Sequence, residues 1–149
     1  MRLFRLVAFS VLTAGLCLAA APPQSLEEVE REPRLEKRSA LALEYARAAV
    51  GRMVKAYVAG NPDEGREILA SIVQGAVMAR ESLEDTGKHA RSKPKYFKRA
   101  EIDSRKLIRD LEAAKRDLTF EERPDLDPAI AKIEEINRQL LFDIMEKKK

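Results

Sequence analysis

The sequence predicts an all-α protein: an antiparallel up-down-up-down four-helix bundle behind an N-terminal signal peptide. The composition is rich in the helix formers Ala, Leu, Glu, Lys and Arg, and it contains no Trp and only 6 Gly and 7 Pro. Apolar residues recur at intervals near 3.6 in four long segments joined by short connections. A pair of helical hairpins stacked as in a solenoid is the alternative, although no motif repeats at a fixed period.

Residues 1–21 have the three parts of a secretory signal peptide. Arg2 and Arg5 precede a run from 6 to 21 without a charged residue, and small residues at Ala19, Ala20 and Ala21 close it. Cleavage after any of these alanines would release the mature chain. We therefore expect an exported protein, periplasmic or secreted, with an uncleaved membrane anchor as the alternative.

The single cysteine, Cys17, falls within this signal peptide. Lipidation would need a small residue before it, and Leu16 is large. A mature chain without cysteine excludes disulfides and thiolate metal sites. Without Arg2 and Arg5, 26 basic residues oppose 25 acidic residues, so the overall charge does not favour a nucleic-acid or membrane partner.

Residues 22–33 are expected to form a tail or a short separate helix, and residues 34–149 the bundle domain. Ser25 and Glu28 have capping-box spacing, and Pro33 interrupts any helix there. The first long helix is predicted over residues 34–59. Its buried stripe consists of Leu43, Ala46, Val50, Met53 or Val54, and Tyr57.

The second helix is predicted to follow a turn at residues 60–62 and to reach about Thr86. Gly60 suits the position after a helix, Asn61 an N-cap, Pro62 the first helical turn, and Gly87 the next stop. The buried stripe consists of Ile68 or Leu69, Ile72 or Val73, Ala76 or Val77, and Leu83.

The third helix is predicted from Ser92 or Pro94 to about Leu118, with a heptad seam that begins at Phe97. The seam residues are Phe97, Ala100, Ser104, Leu107, Leu111, Ala114 and Leu118. Favourable pairs four residues apart are expected for Glu101 with Arg105 and for Glu112 with Arg116.

The fourth helix is predicted to be capped by Asp127, with Pro128 in its first turn, after an extra turn at Thr119 and Glu122 that Pro124 ends. Lys147, Lys148 and Lys149 would complement the helix dipole at its end. Its apolar side consists of Ile130, Ile133, Asn137, Leu140 and Ile144, widened by Ile136, Leu141 and Met145. Asn137 and Ser104 are expected to pair across the core and fix the helix register, or alternatively to form a small polar pocket.

Three stretches, GNPDEG, KYFKRAEI and LTFEERPDL, resemble a group of uncharacterised exported helical proteins of bacteria. The resemblance covers about residues 57–145. It implies a small periplasmic or secreted helical protein, and it implies no catalytic or ligand-binding residues.

The sequence lacks the residue patterns of the common catalytic and metal sites, so we expect no enzyme activity and no cofactor. His89 is the only histidine, and it falls in a predicted loop. Asp125 and Asp127 resemble the start of a calcium loop, but the sixth and twelfth positions are Ile130 and Ile136. No Gly-rich phosphate loop or nucleophile elbow is present.

The basic residues of the third helix fall on its outward heptad positions. Residues 88–116 contain eleven Lys or Arg and four Asp or Glu. We call the outward set the basic ridge and consider it a candidate site for docking an anion or a protein partner. It consists of Lys95, Lys98, Arg99, Arg105, Lys106, Arg109 and Arg116. Asp103, Asp110 and Asp117 lie beside the seam, where they could pair with a neighbouring helix. A merely solvated helix face is the competing interpretation.

These features favour an exported, non-enzymatic bundle that acts through an unidentified protein partner in the cell envelope. One alternative is binding of a polyanion or of anionic lipid headgroups by the basic ridge. Another is a periplasmic chaperone-like or stress protein. A nucleic-acid partner is not expected, because export separates the protein from it and only Tyr96 and Phe97 offer aromatic rings near the ridge.

Overall fold

The computed structural model describes residues 21–146, which form helices and turns without a strand. The all-α prediction is thereby confirmed for this part of the chain. The signal peptide prediction falls almost wholly on residues 1–20, outside the described residues, as does the predicted role of residues 147–149. The helices are α1 (Leu26–Glu30), α2 (Leu35–Val58), α3 (Pro62–Asp85), α4 (Pro94–Ala114) and α5 (Asp127–Met145).

The short helix α1 is held by its cap and by one buried side chain. The Oγ of Ser25 accepts a hydrogen bond from the backbone N–H of Glu28 at 3.2 Å. The Glu28 carboxylate accepts in turn from the N–H of Gln24 at 2.9 Å. Val29 is fully buried in the core. Residues 22–33 therefore contribute an ordered turn of helix that packs on α2.

Helices α2 and α3 form an antiparallel hairpin around a tight turn. Gly60 has a φ of 81°, a conformation that other residues rarely adopt, and Pro62 occupies the first helical position as predicted. Asn61 is the N-cap residue, although its side chain makes no capping hydrogen bond. The two helices pack closely at Gly75, which has no side chain. A Cβ atom there would lie only 3.0 Å from the carbonyl oxygen of Ala42.

Helix α4 is shorter than predicted. The α-helix ends at Ala114, and a 3₁₀ turn covers Lys115–Asp117. Leu118 then adopts an extended conformation and is buried. The seven-residue seam is nevertheless buried throughout, so the heptad pattern identified the correct face although the helix stops one turn early.

The connection to α5 differs from the prediction in two places. Pro124 lies in the first turn of a 3₁₀ helix, Arg123–Leu126, instead of ending a turn, and this helix runs directly into α5. Asp127 is helical and its side chain caps nothing, because its carboxylate faces Lys115 at 2.7 Å. The predicted contact at Thr119 does form, since its N–H donates to the Glu122 carboxylate at 3.0 Å.

Helix α5 buries a narrower stripe than predicted. Ile130, Ile133, Ile136 and Leu140 are buried, whereas Ile144 is only half-buried. The prediction that Leu141 and Met145 widen this stripe is wrong: they are 42% and 68% exposed. These side chains therefore contact solvent at the C-terminal end of α5.

The two hairpins, α2–α3 and α4–α5, lie side by side over one cluster of buried side chains. Helix α2 packs against α4 and α3 against α5, whereas α3 contacts α4 only slightly. Contacts between Arg47 and Asp110 and near both helix starts show that α2 and α4 run parallel. No helix in residues 21–146 has the length and apolar character needed to cross a membrane.

Candidate functional site

The basic ridge lies on the outer side of α4, where the heptad positions placed it. Six of the seven side chains are exposed and Lys106 is half-buried. Arg116 belongs to the 3₁₀ turn after α4 and not to the α-helix itself. The sequence therefore identified the orientation of these residues correctly.

Carboxylates of the same helix neutralise the middle of the ridge. Arg105 pairs with Glu101 at 3.1 Å, as predicted. Asp103 accepts from Arg99 at 2.7 Å and from Lys106 at 3.2 Å, so its partners lie on its own helix. The ridge is consequently not a continuous positive surface.

Two other acidic residues of α4, Asp110 and Glu112, were also predicted to form ion pairs. Asp110 does pair with a neighbouring helix, because Arg47 of α2 donates to it at 2.9 Å. The predicted pair of Glu112 with Arg116 is wrong, since Glu112 contacts Lys115 at 3.3 Å. The earlier end of the α-helix moves Arg116 away from the position that such a pair requires.

The N-terminal end of the ridge borders a groove between α2 and α4, which we call the α2–α4 groove. Its volume is about 550 Å³. Lys95, Lys98 and Arg99 of the ridge line it together with Arg34 and Lys37 at the start of α2. The remaining lining residues are Glu36, Ala40, Tyr96 and Ile102.

Most carboxylates around the groove are engaged by cations. Lys37 at 2.7 Å and Arg34 at 3.2 Å both contact Glu32, and the Lys37 hydrogen bond is the main cause that lowers the pKa of Glu32 to about 2. Lys88 pairs with Glu36 and lowers the pKa of that carboxyl. Five of the residues that line the groove are basic and one, Glu36, is acidic, although Arg34 and Lys37 are themselves paired with Glu32.

Lys95 and Lys98 are the ammonium groups of the groove that carry no carboxylate partner within 4.0 Å among residues 21–146. Two helix starts add to their positive potential, because α2 begins at Leu35 and α4 at Pro94 on the same end of the molecule. Parallel packing of α2 and α4 thus concentrates positive charge at this end.

Arg34 and Lys37 were not predicted as part of a site. The only signal in the sequence is the basic stretch RLEKR at the start of the first long helix. That stretch says nothing about proximity to Lys95, about sixty residues later. Only the packing of α2 beside α4 brings the two sets together.

The two aspartates considered for a calcium loop, Asp125 and Asp127, are committed to other contacts. Asp125 accepts from the Tyr57 hydroxyl at 3.0 Å and from Arg66 at 2.9 Å. His89 is exposed in the loop before α4, as expected. Within the described residues no group of three or more His, Cys, Asp or Glu is placed to hold a metal ion.

The predicted contact between Ser104 and Asn137 is confirmed. The Asn137 amide donates to the Ser104 Oγ at 2.9 Å and to the carbonyl oxygen of Glu101 at 2.8 Å. Ser104 is fully buried and donates to the same carbonyl at 3.0 Å. These bonds satisfy the polar atoms between α4 and α5, which fits a role in register.

The α2–α4 groove is therefore the candidate site, a recess lined mainly by basic side chains. Comparisons of the chain with protein-family models, with curated proteins and with solved structures found no match.

Proposed function

We propose that the chain is an exported, non-enzymatic four-helix bundle that binds an acidic protein partner in the cell envelope. The observation that carries the proposal is the convergence of Lys95, Lys98 and Arg99 with two cations of α2 at one groove. The signal peptide pattern of residues 1–21 supports export, and so does the resemblance to exported helical proteins of bacteria.

Local charge supports an anionic partner better than overall charge does. The formal net charge of the whole chain is only +3. At the groove, however, two unpaired ammonium groups and two helix starts act in the same direction. A negatively charged partner would be attracted over about 10 Å at moderate ionic strength and less at high salt.

The test is charge reversal with a matched control. Lys95→Glu with Lys98→Glu should weaken binding of polyglutamate at least about tenfold at low salt, equivalent to about 1.4 kcal/mol. Arg109→Glu with Arg116→Glu makes the same change of charge on the same ridge, away from the groove, and should weaken binding far less. Equal losses in both double variants would refute the assignment of the groove.

Export has its own test. Expression of the full chain in a bacterium should yield a periplasmic protein whose mass corresponds to cleavage after Ala19, Ala20 or Ala21. Recovery of the intact chain from the membrane fraction would instead support the uncleaved anchor.

Anionic lipid headgroups are a second candidate ligand, because Tyr96 and Ile102 are apolar side chains, 38% and 41% exposed, next to the same cations. Apolar groups beside ammonium groups are typical of surfaces that bind the membrane interface. Salt-sensitive binding to phosphatidylglycerol vesicles, with no binding to polyglutamate, would favour this candidate.

A further inference from the structure

The α2–α4 groove combines positive charge with an apolar surface. Tyr96 and Ile102 keep over a third of their surface exposed there, and Ala40 is half-buried between the two helices. Cationic side chains by themselves would bind any anion and would not select among anionic ligands. Tyr96 and Ile102 lie beside these cations, so the groove suits a ligand that carries apolar groups as well as negative charge.

We infer that the groove binds an acidic, amphipathic peptide segment of a partner protein, with apolar side chains placed on Tyr96 and Ile102 and carboxylates facing Lys95 and Lys98. The inference rests on the proposed function and adds the chemistry of the ligand. The volume of the groove, about 550 Å³, falls in the range of roughly 300–1,000 Å³ typical of ligand sites.

The dimensions suit a short helical or extended segment. Tyr96 and Ile102 lie six residues apart on α4, which corresponds to about 9 Å along the helix. Two apolar side chains seven residues apart on a peptide helix are about 10 Å apart along its axis and so span a comparable distance. The groove therefore accommodates about two anchors, and flanking carboxylates would reach the ammonium groups on its rim.

A recessed apolar surface favours a peptide over a membrane. A membrane interface is broad, so apolar groups that insert into it need to project from the protein surface. Here the apolar groups lie between two parallel helices with long cationic side chains of both helices around them. A polysaccharide anion would supply charge but no apolar side chain for Tyr96 and Ile102.

The experiment uses two labelled peptides of equal negative charge with the folded chain. One peptide has two leucines seven residues apart among glutamates, and the other has serine at both positions. We expect the leucine peptide to bind about tenfold more tightly. The Ile102→Ser variant should clearly reduce that advantage, with Tyr96 still in place, and leave binding of the serine peptide unchanged; an undiminished advantage would refute the contact with Ile102.

Val58→Ser is the matched control, because Val58 is a 70% exposed apolar residue at the far end of α2. It should leave both affinities unchanged. Ile102→Leu keeps an apolar side chain and should retain the preference for the leucine peptide. Circular dichroism of each variant verifies that the helices are intact.

The two proposals fail in distinguishable ways. If Lys95→Glu with Lys98→Glu changes neither peptide's affinity, the proposed function is wrong. If binding depends on these lysines but both peptides bind equally to the wild type, only the amphipathic ligand is refuted. Binding of phosphatidylglycerol vesicles that Ile102→Ser weakens, without binding of either peptide, would overturn the peptide in favour of a lipid.

Discussion

The contact of Gly65 with the ring of Tyr57 supports a quantitative prediction about the α2–α3 hairpin. A Cβ atom on Gly65 would lie 2.5 Å from Cε2 and 2.6 Å from Cδ2 of Tyr57. Carbon atoms in contact prefer about 3.5–4.0 Å, so the ring or the helix would have to move by about 1 Å. The ring is only 3% exposed and its hydroxyl is held by Asp125, so it is not free to swing away.

Gly65→Ala should therefore destabilise the protein. Overpacking of a core costs about 1–3 kcal/mol, whereas replacement of a helical glycine by alanine gains about 0.5–1 kcal/mol. We expect a net loss of about 1–2 kcal/mol in the free energy of unfolding. Urea denaturation followed by circular dichroism measures it, and each kcal/mol should lower Tm by about 4 °C.

Two comparisons separate the contact from helix propensity. Gly51 is exposed in α2 and a Cβ there meets nothing within 4 Å, so Gly51→Ala should stabilise by about 0.5–1 kcal/mol. In a Tyr57→Val background, which lacks the clashing ring atoms, Gly65→Ala should be neutral or stabilising. Destabilisation by Gly65→Ala that persists in that background would refute the reasoning.

Three further predictions concern single polar contacts. Asn137→Ala should cost about 1–2 kcal/mol in urea denaturation, because the buried Ser104 loses its donor. Hydrogen bonds from Lys37, which contributes most, and from Arg34 lower the pKa of Glu32 from 4.5 to about 2, so this stabilisation is present above the ordinary carboxyl pKa and is lost as the pH falls toward 2. The wild type should thus lose more stability than Glu32→Gln between about pH 5 and pH 2. Burial raises the pKa of Tyr57 from 10.0 to about 12, so stability should decline as the pH rises from about 10 to 12, and Tyr57→Phe should remove that decline.

Contradicting outcomes are simple to recognise for each of these. An Asn137→Ala variant as stable as the wild type would show that the interhelical bonds contribute nothing. If the free energy of unfolding falls equally with pH in the wild type and in Glu32→Gln, Glu32 does not contribute to the loss of stability at acid pH. A Tyr57→Phe variant that keeps the alkaline decline would assign it to other groups.

The polar core contact was predictable because its two residues interrupt otherwise apolar seams. Ser104 and Asn137 each occupy a core position of a heptad pattern, and buried polar atoms need partners. Their contact was therefore expected if the apolar seams of α4 and α5 pack against each other. The basic ridge was likewise predictable as a face of one helix, but its division into paired and unpaired cations depends on side-chain geometry at Glu101 and Asp103.

The sequence by itself determined the helices of the described chain and the side of each helix that is buried. Gly60, Pro62, Gly87 and Pro94 mark helix ends through backbone preferences that act within a few residues. The periodic apolar residues specify burial for the same local reason. Even so, the exposure of Leu141 shows that a periodic apolar pattern can predict a wider buried stripe than the packed helix has.

Only the tertiary structure decided which helices became neighbours and therefore where the groove lies. Arg34 and Lys37 meet Lys95 and Lys98 because α2 packs parallel to α4, a contact between segments about sixty residues apart. Such packing depends on how whole helix surfaces fit together, and no local hydrogen bond or backbone preference specifies it. The candidate site is thus a product of lateral helix packing, whereas the helices that build it are encoded locally.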